Sequence, residues 1–252
     1  MPVIDSHLDG EFTNYGLIGG AGGVVDVFNF VVSEGAVIDA ERYAAALRSL
    51  GVAPSALQQL RIRIAGVAGT RRGVLEVLGG TPALSLRPLP PAPSEITVQA
   101  DPVRDERTEP GKFGPDLGWQ QSVLAGIPAH EGLLVDASLR TISAIMNPLL
   151  VVEPGRVHVS THPATAPSIA MDGVLQILGG YGVEVVEEPE GFATSRLRDS
   201  EVWVVDPVYG ARLVDTWLEY GTRFPARSLF DRGGVPSHRD VNEARRLLAS
   251  MV

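Results

Sequence analysis

The chain has 252 residues, a net charge of −9 and no cysteine. The missing cysteine excludes disulfides, thiol catalysis and Cys-ligated metal, and suits a cytoplasmic protein. The acidic balance, with no basic run, argues against a nucleic-acid partner, and no apolar stretch approaches the ~20 residues that cross a bilayer.

The length suits one large domain or two small ones. The start, Met1-Pro2-Val3-Ile4-Asp5, lacks the basic and apolar regions of a signal peptide. Gly19-Gly20-Ala21-Gly22-Gly23 precedes a strand, whereas a dinucleotide fingerprint follows one, so it is read as a flexible loop near a site entrance. Val24 to Val32 is β-branched and aromatic and reads as a buried strand, with a return strand from Ala36 to Ile38 after the turn Ser33-Glu34-Gly35. Asp39 is the expected N-cap of a helix through Leu50, stopped by Gly51. A second helix is expected from Pro54 to Ala65, and strands over Gly73–Leu78, Ala83–Arg87 and Glu95–Ala100.

The stiff segment Pro88 to Pro93 and the polar stretch Asp101 to Gly111 separate two halves, the second stretch reading as an interdomain linker. Pro115-Asp116-Leu117 opens a helix to about Ala125. A strand Gly132–Asp136 follows, then a hairpin of Asn147–Val152 and Arg156–Ser160 around Glu153-Pro154-Gly155. Ser168 to Leu178 is a helix closed by Gly179-Gly180. Strands are expected over Val183–Glu187, Glu201–Val205 and from the Pro207–Gly210 turn through Trp217. A helix from Asp240 to Met251 ends the chain.

Lys112 is the one lysine, against twenty arginines. Arginine serves for surface charge and solubility but cannot act as a free amine, so a lone lysine is a candidate for amine chemistry such as a Schiff base. His158 and His162 are spaced poorly for a metal and read as loop histidines that could reach a cleft. Glu184, Glu187, Glu188 and Glu190 read as a solvated strand end.

Three segments carry a resemblance: Lys112-Phe113-Gly114-Pro115-Asp116-Leu117-Gly118; Leu133-Leu134-Val135-Asp136-Ala137-Ser138-Leu139-Arg140; and Glu201-Val202-Trp203-Val204-Val205-Asp206-Pro207-Val208-Tyr209-Gly210-Ala211-Arg212. Across roughly residues 105 to 218 the chain resembles the class IV aminotransferases. These are the fold-type IV pyridoxal phosphate (PLP) enzymes, which include branched-chain and D-amino acid aminotransferases and aminodeoxychorismate lyase. The resemblance implies an α/β (α+β) fold. A small N-terminal α/β domain would take residues 1–100 and a linker 101–114. A larger C-terminal pseudo-barrel domain would take 115–252, and the chain would form a homodimer.

The resemblance also implies a site. Lys112 would be catalytic. Ser143 takes the place of the glutamate that pairs with the cofactor ring nitrogen, and Ser168-Ile169-Ala170 that of Gly-Ile-Thr at the phosphate-cupping helix. Where an arginine would hold the phosphate the chain has Ala44 or Ala45, with Arg42 and Arg48 close by. Asp206, Tyr209, Gly210, Arg212 and Asn147 fall in the substrate region. In close relatives the lysine directly precedes Gly-Pro-Asp-Leu, a place held by Phe113. A serine cannot keep the ring nitrogen protonated. Three readings follow: Lys112 holds PLP, with Arg42, Arg48 and Ser168 on the phosphate; an enzyme reuses the cleft without PLP; or the chain is a non-catalytic binding or partner subunit.

Overall fold

The computed structural model describes residues 4–6, 25–112 and 114–251, which divide into two compact units. The first takes the described residues up to Pro91, those of 112–115 and those from Arg245 on; the second takes 92–111 and 116–244. The boundary expected at residue 100 thus lies nearer 91, and the C-terminal residues return to the first unit. The glycine run 19–23 lies outside the described residues.

The first unit is a six-stranded sheet in the order β1 (Ile4–Ser6), β5 (Thr81–Arg87), β4 (Thr70–Leu78), β2 (Asp26–Ser33), β3 (Ala36–Val37), β15 (Ser250–Met251). Two helices, α1 (Ala40–Ser49) and α2 (Pro54–Ala65), lie on one face. Phe30 and Leu75 of the sheet line a small apolar cavity with Tyr43, Ala44, Leu47, Leu60 and Ile64 of the helices. Pro54 presets the first turn of α2. Asp39 precedes α1 but makes no side-chain cap. It adopts a left-handed conformation, φ 60°, and its carboxylate instead takes Arg245 Nη2 at 2.8 Å. The chain end expected as helix to Met251 is helical only through Leu247, after which Ser250–Met251 pairs with β3.

The second unit is built on a curled sheet in the order β11 (Glu184–Glu188), β10 (Arg156–Ser160), β9 (Leu149–Glu153), β12 (Glu201–Asp206), β13 (Gly210–Glu219), β6 (Glu95–Arg104), β7 (Glu131–Val135), β8 (Thr141–Ala144), with β14 (Thr222–Pro225) also on β13. Alternation sorts its side chains into two cores. One face packs Ile96, Val98, Leu133, Leu149, Val151, Val202, Val204 and Val214 together with Phe192 and Leu197. The other packs Leu150, Val152, Val157, Trp203, Val205 and Leu213 against α4 (Ile169–Gly180) and Val241 of α6 (His238–Leu247). Beyond β7 and β8, Leu134, Ile142 and Ile145 meet Trp119, Val123 and Leu124 of α3 (Leu117–Ala125). A short helix, α5 (Thr194–Asp199), precedes β12.

The stretch expected as linker is structured at its start. Residues 101–104 continue β6, and Pro102, Val103 and Arg104 pair with β7 past a register shift after Gln99. The irregularity admits Pro102, which cannot donate to a regular ladder. Helix α4 runs through Gly179 and Gly180 and stops at Gly182, whose φ of +75° suits glycine. Among the described residues no helix is long and apolar enough to cross a membrane.

Candidate active site

One end of the first core is polar. Glu131 opens β7 on the face that carries Leu133, and it is 2 % exposed. Its carboxyl accepts from Asn147 Nδ2 at 2.7 Å and from Met146 N at 3.2 Å. Burial dominates, and it raises the Glu131 pKa to about 8 against the two hydrogen bonds; the Asp206 charge adds to the rise and Arg212 opposes it. Four of the expected substrate residues meet at this end. Asp206 Oδ1 accepts from Val208 N and Tyr209 N at 2.7 and 3.0 Å, making the turn. Gly210 takes φ +76° at its close. Arg212 is buried, its guanidinium 5.6 Å from the Tyr209 ring centroid and its Nε donating to Pro93 O at 3.0 Å. The fifth, Asn147, commits an amide N–H to Glu131, and its own carbonyl accepts from Ala144 N. Arg212 is the cation of the cluster and suits an anionic group.

The residues expected around PLP are placed separately. Ser143 is buried in β8 opposite Leu134. Ser168 caps α4 by accepting from Met171 N at 3.2 Å, while Ile169 and Ala170 are buried and add no polar side chain. Arg42 lies 3.9 Å from Asp39 with its side chain 36 % exposed, and Arg48 is exposed on the last turn of α1. Ala44 faces the apolar cavity and Ala45 faces solvent.

Lys112 is exposed in a turn. Asp116 pins the residues before that turn, its carboxylate accepting from Thr108 N, Thr108 Oγ1 and Glu109 N at 2.8–2.9 Å. Although burial opposes it, these bonds hold the Asp116 pKa below the usual range. Gly114, at φ +99°, lies so close to β2 that a Cβ would meet Val27 N at 2.8 Å.

His158 is not a loop histidine, and Glu188 is half-buried and paired rather than a free strand end. His158 is buried in β10, with Nδ1 2.8 Å from Glu188 Oε1 and Nε2 3.2 Å from Glu153 Oε2. Arg196 bridges both carboxylates at 2.7 and 2.9 Å. Burial works against ionisation, but Arg196, Arg156 and His158 bring the Glu153 pKa down to about 2. A carboxylate depressed in this way adds stability above its unfolded pKa and loses it as pH falls toward 2. Arg196→Ala is therefore expected to cost about 1–2 kcal/mol at pH 7, discounted for partial exposure, and little at pH 2. Urea unfolding at the two pH values measures this, and an equal cost at both would rule the network out as its source.

The sequence search for relatives gives no family model and no curated protein that matches the chain. Solved structures do match. A Thermotoga maritima protein assigned as a branched-chain amino acid aminotransferase superposes with a TM-score of 0.69 at 13 % identity, covering 96 % of this chain and 90 % of its own. The 4-amino-4-deoxychorismate lyase of Pseudomonas aeruginosa gives 0.67 at 18 % identity, with coverages of 90 % and 92 %. A fold IV-transaminase of Curtobacterium pusillum gives 0.62 at 15 %, with 92 % and 87 %. With nearly the full length of each chain superposed, this chain has the fold of the class IV aminotransferases and aminodeoxychorismate lyases.

Proposed function

We propose that this chain is an enzyme that uses the class IV aminotransferase fold without PLP. It would act on a small metabolite bearing a carboxyl or amino group, with Lys112 as the reacting amine. The observation that carries the reading is Ala44. The resemblance calls for a phosphate-binding arginine at Ala44, which faces an apolar cavity, or at Ala45, which faces solvent, and Arg42 is drawn to Asp39. At the start of α4 Ser168 Oγ accepts the helix-cap bond from Met171 N, and Ala170 stands where the resemblance has a threonine hydroxyl. Ser143 offers the ring nitrogen no negative charge. This donor set does not fit a phosphorylated pyridine.

What remains suits a carbonyl substrate. Lys112 Nζ can condense with a ketone or aldehyde, forming a carbon–nitrogen double bond and releasing water. The PLP reading keeps one argument: Lys112 stands one residue from the place where the resemblance puts the cofactor lysine.

The test is spectroscopic and covalent. Purified protein mixed with PLP is expected to show no bound-cofactor band that borohydride removes. Borohydride with pyruvate is expected to add the reduced adduct to the Lys112 peptide, read by mass, and Lys112→Ala abolishes it. A PLP band that disappears in Lys112→Ala would overturn the proposal in favour of the cofactor reading. No adduct with any of a panel of small oxo acids and aldehydes would overturn it in favour of a non-catalytic role.

A further inference from the structure

Strand β13 begins before one of the strands beside it does. On one side it pairs with β12 from the start, Gly210 opposite Asp206, Ala211 opposite Val205 and Arg212 opposite Val204. On the other side β6 begins only at Glu95, opposite Leu213, and Leu213 N donates to Ser94 O at 2.9 Å. Among the described residues, Ala211 therefore has no strand to bond on that side. Asn242 of α6 takes the part of one. Its Oδ1 accepts from Ala211 N at 2.7 Å, and its Nδ2 donates to Ala211 O at 2.7 Å. A side-chain amide offers both an acceptor and a donor, so one residue satisfies both backbone groups.

The helix that presents Asn242 is held by contacts of its own. Ser237 and Asp240 cap its start reciprocally: Asp240 N donates to Ser237 Oγ at 3.2 Å, and Ser237 N and Oγ donate to Asp240 Oδ2 at 3.1 and 2.6 Å. His238 is buried with its ring centroid 6.1 Å from that of Trp203, and Val241 is buried in the core that also holds Ala211. A rigid element is what a residue needs behind it if it is to orient another. Just before Ala211, Gly210 leaves the Asp206 turn at φ +76°, a conformation that glycine enters and leaves cheaply. Clamping Ala211 fixes the backbone after that flexible point. Arg212 comes next, and with its Nε committed to Pro93 O it has its Nη groups for an anion.

We infer that Asn242 is a positioning residue for substrate binding: by holding Ala211 it sets Arg212 to receive a substrate's anionic group. This rests on Arg212 being the cation that takes that group. Asparagine suits the place better than its nearest relatives. Aspartate accepts from Ala211 N but sets an oxygen against Ala211 O, and leucine leaves both backbone groups without a partner. Every residue of the arrangement lies within the second unit, so it stands whether or not Lys112 reacts.

Pyruvate titrated by calorimetry into the full-length chain carrying Lys112→Ala, which forms no imine at that position, tests this. Arg212→Gln is expected to weaken pyruvate at least about ten-fold, the worth of a charge-assisted hydrogen bond. Asn242→Asp keeps Arg212 but lets it drift, and is expected to weaken pyruvate about ten-fold, as when one prong of a two-pronged pair is lost. The double variant separates positioning from a general loss of stability. Added to Arg212→Gln, Asn242→Asp is expected to change pyruvate affinity by less than about two-fold, because it acts through Arg212. Circular dichroism of each variant confirms that it is folded, and Asn242→Ser replaces Asn242→Asp if the latter is not. Pyruvate binding that depends on Arg212 but is unchanged in folded Asn242→Asp overturns the inference and leaves Arg212 as the anion's partner. A full further loss in the double variant overturns it equally, since Asn242 would then act elsewhere. Pyruvate that fails to bind at millimolar concentration, or binds as well to Arg212→Gln, removes Arg212 from the site and the inference with it.

Discussion

Glu201→Ala is expected to destabilise the second unit by about 3–5 kcal/mol, the usual consequence of removing one partner of a buried ion pair. Glu201 is fully buried at the start of β12. Its Oε1 accepts from Trp203 Nε1 and Arg232 Nε, both at 2.9 Å, and its Oε2 from Leu229 N at 2.7 Å and Arg232 Nη2 at 3.0 Å. Burial opposes the charge, yet Arg232 and these donors hold its pKa below the usual carboxylate value. Alanine would strand a guanidinium, an indole N–H and a backbone N–H together. The pair also docks the segment around Arg232, whose carbonyl takes Gly155 N of the β9–β10 turn at 2.9 Å. Urea unfolding of Glu201→Ala, Arg232→Ala and the double variant measures the coupling. The double variant is expected to lose less than the two single losses combined. Additive losses would mean that the two side chains act independently.

Where local chemistry alone decides an element, the sequence was readable. Helix α2 was expected over the residues it occupies, because Pro54 fixes its first turn. The hairpin of β9 and β10 was marked by Pro154-Gly155 between two β-branched runs. Elements that depend on distant partners were not readable. The charged stretch 101–104 extends β6 only because β7 lies beside it to pair with. Strand β8 is four residues long, too short for a periodic signal. Helix α4 passes its paired glycines because Val174, Ile177 and Leu178 are held against the sheet beneath.

The site divides in the same way. The turn Pro207–Gly210 was legible from its own residues, whereas Glu131, Glu76 and Glu201 were passed over among 30 acidic residues. Each sits within or beside a run such as Gly-Leu-Leu-Val, Val-Leu-Glu-Val-Leu or Val-Trp-Val-Val. A carboxylate in phase with the inward side chains of an apolar strand is the signal that was present. Which phase faces inward is fixed by register, and register is a tertiary property.

Glu131 gives that signal its largest consequence for pH. Its carboxyl is raised to about 8 in the folded chain against an ordinary value of 4.5. The folded state therefore keeps a proton that the unfolded state has released over this interval. For a group raised in this way, the contribution to stability is intact below the unfolded pKa and is lost as pH rises through the folded one. A shift of this size corresponds to about 4–5 kcal/mol, spread over pH 4.5 to 8. Glu131→Gln has no proton to lose. Its amide oxygen can accept from Met146 N, and its amide nitrogen can donate to Asn147 Oδ1 once that side chain turns over. The variant is thus expected to match wild type near pH 4.5 and to exceed it by about 4 kcal/mol at pH 9. Urea unfolding of both proteins across that range reads the difference, and a gap that does not widen with pH would show that Glu131 is ionised in the folded chain. Because Arg212 and Asp206 share this end of the core, the same titration changes the charge beside the candidate substrate residues. A neutral Glu131 leaves Arg212 its full positive charge for a substrate carboxylate. Glu131 ionises in the folded chain only as pH rises through about 8, so carboxylate binding at Arg212 is expected to hold over the interval in which the wild-type protein loses stability and to weaken above it.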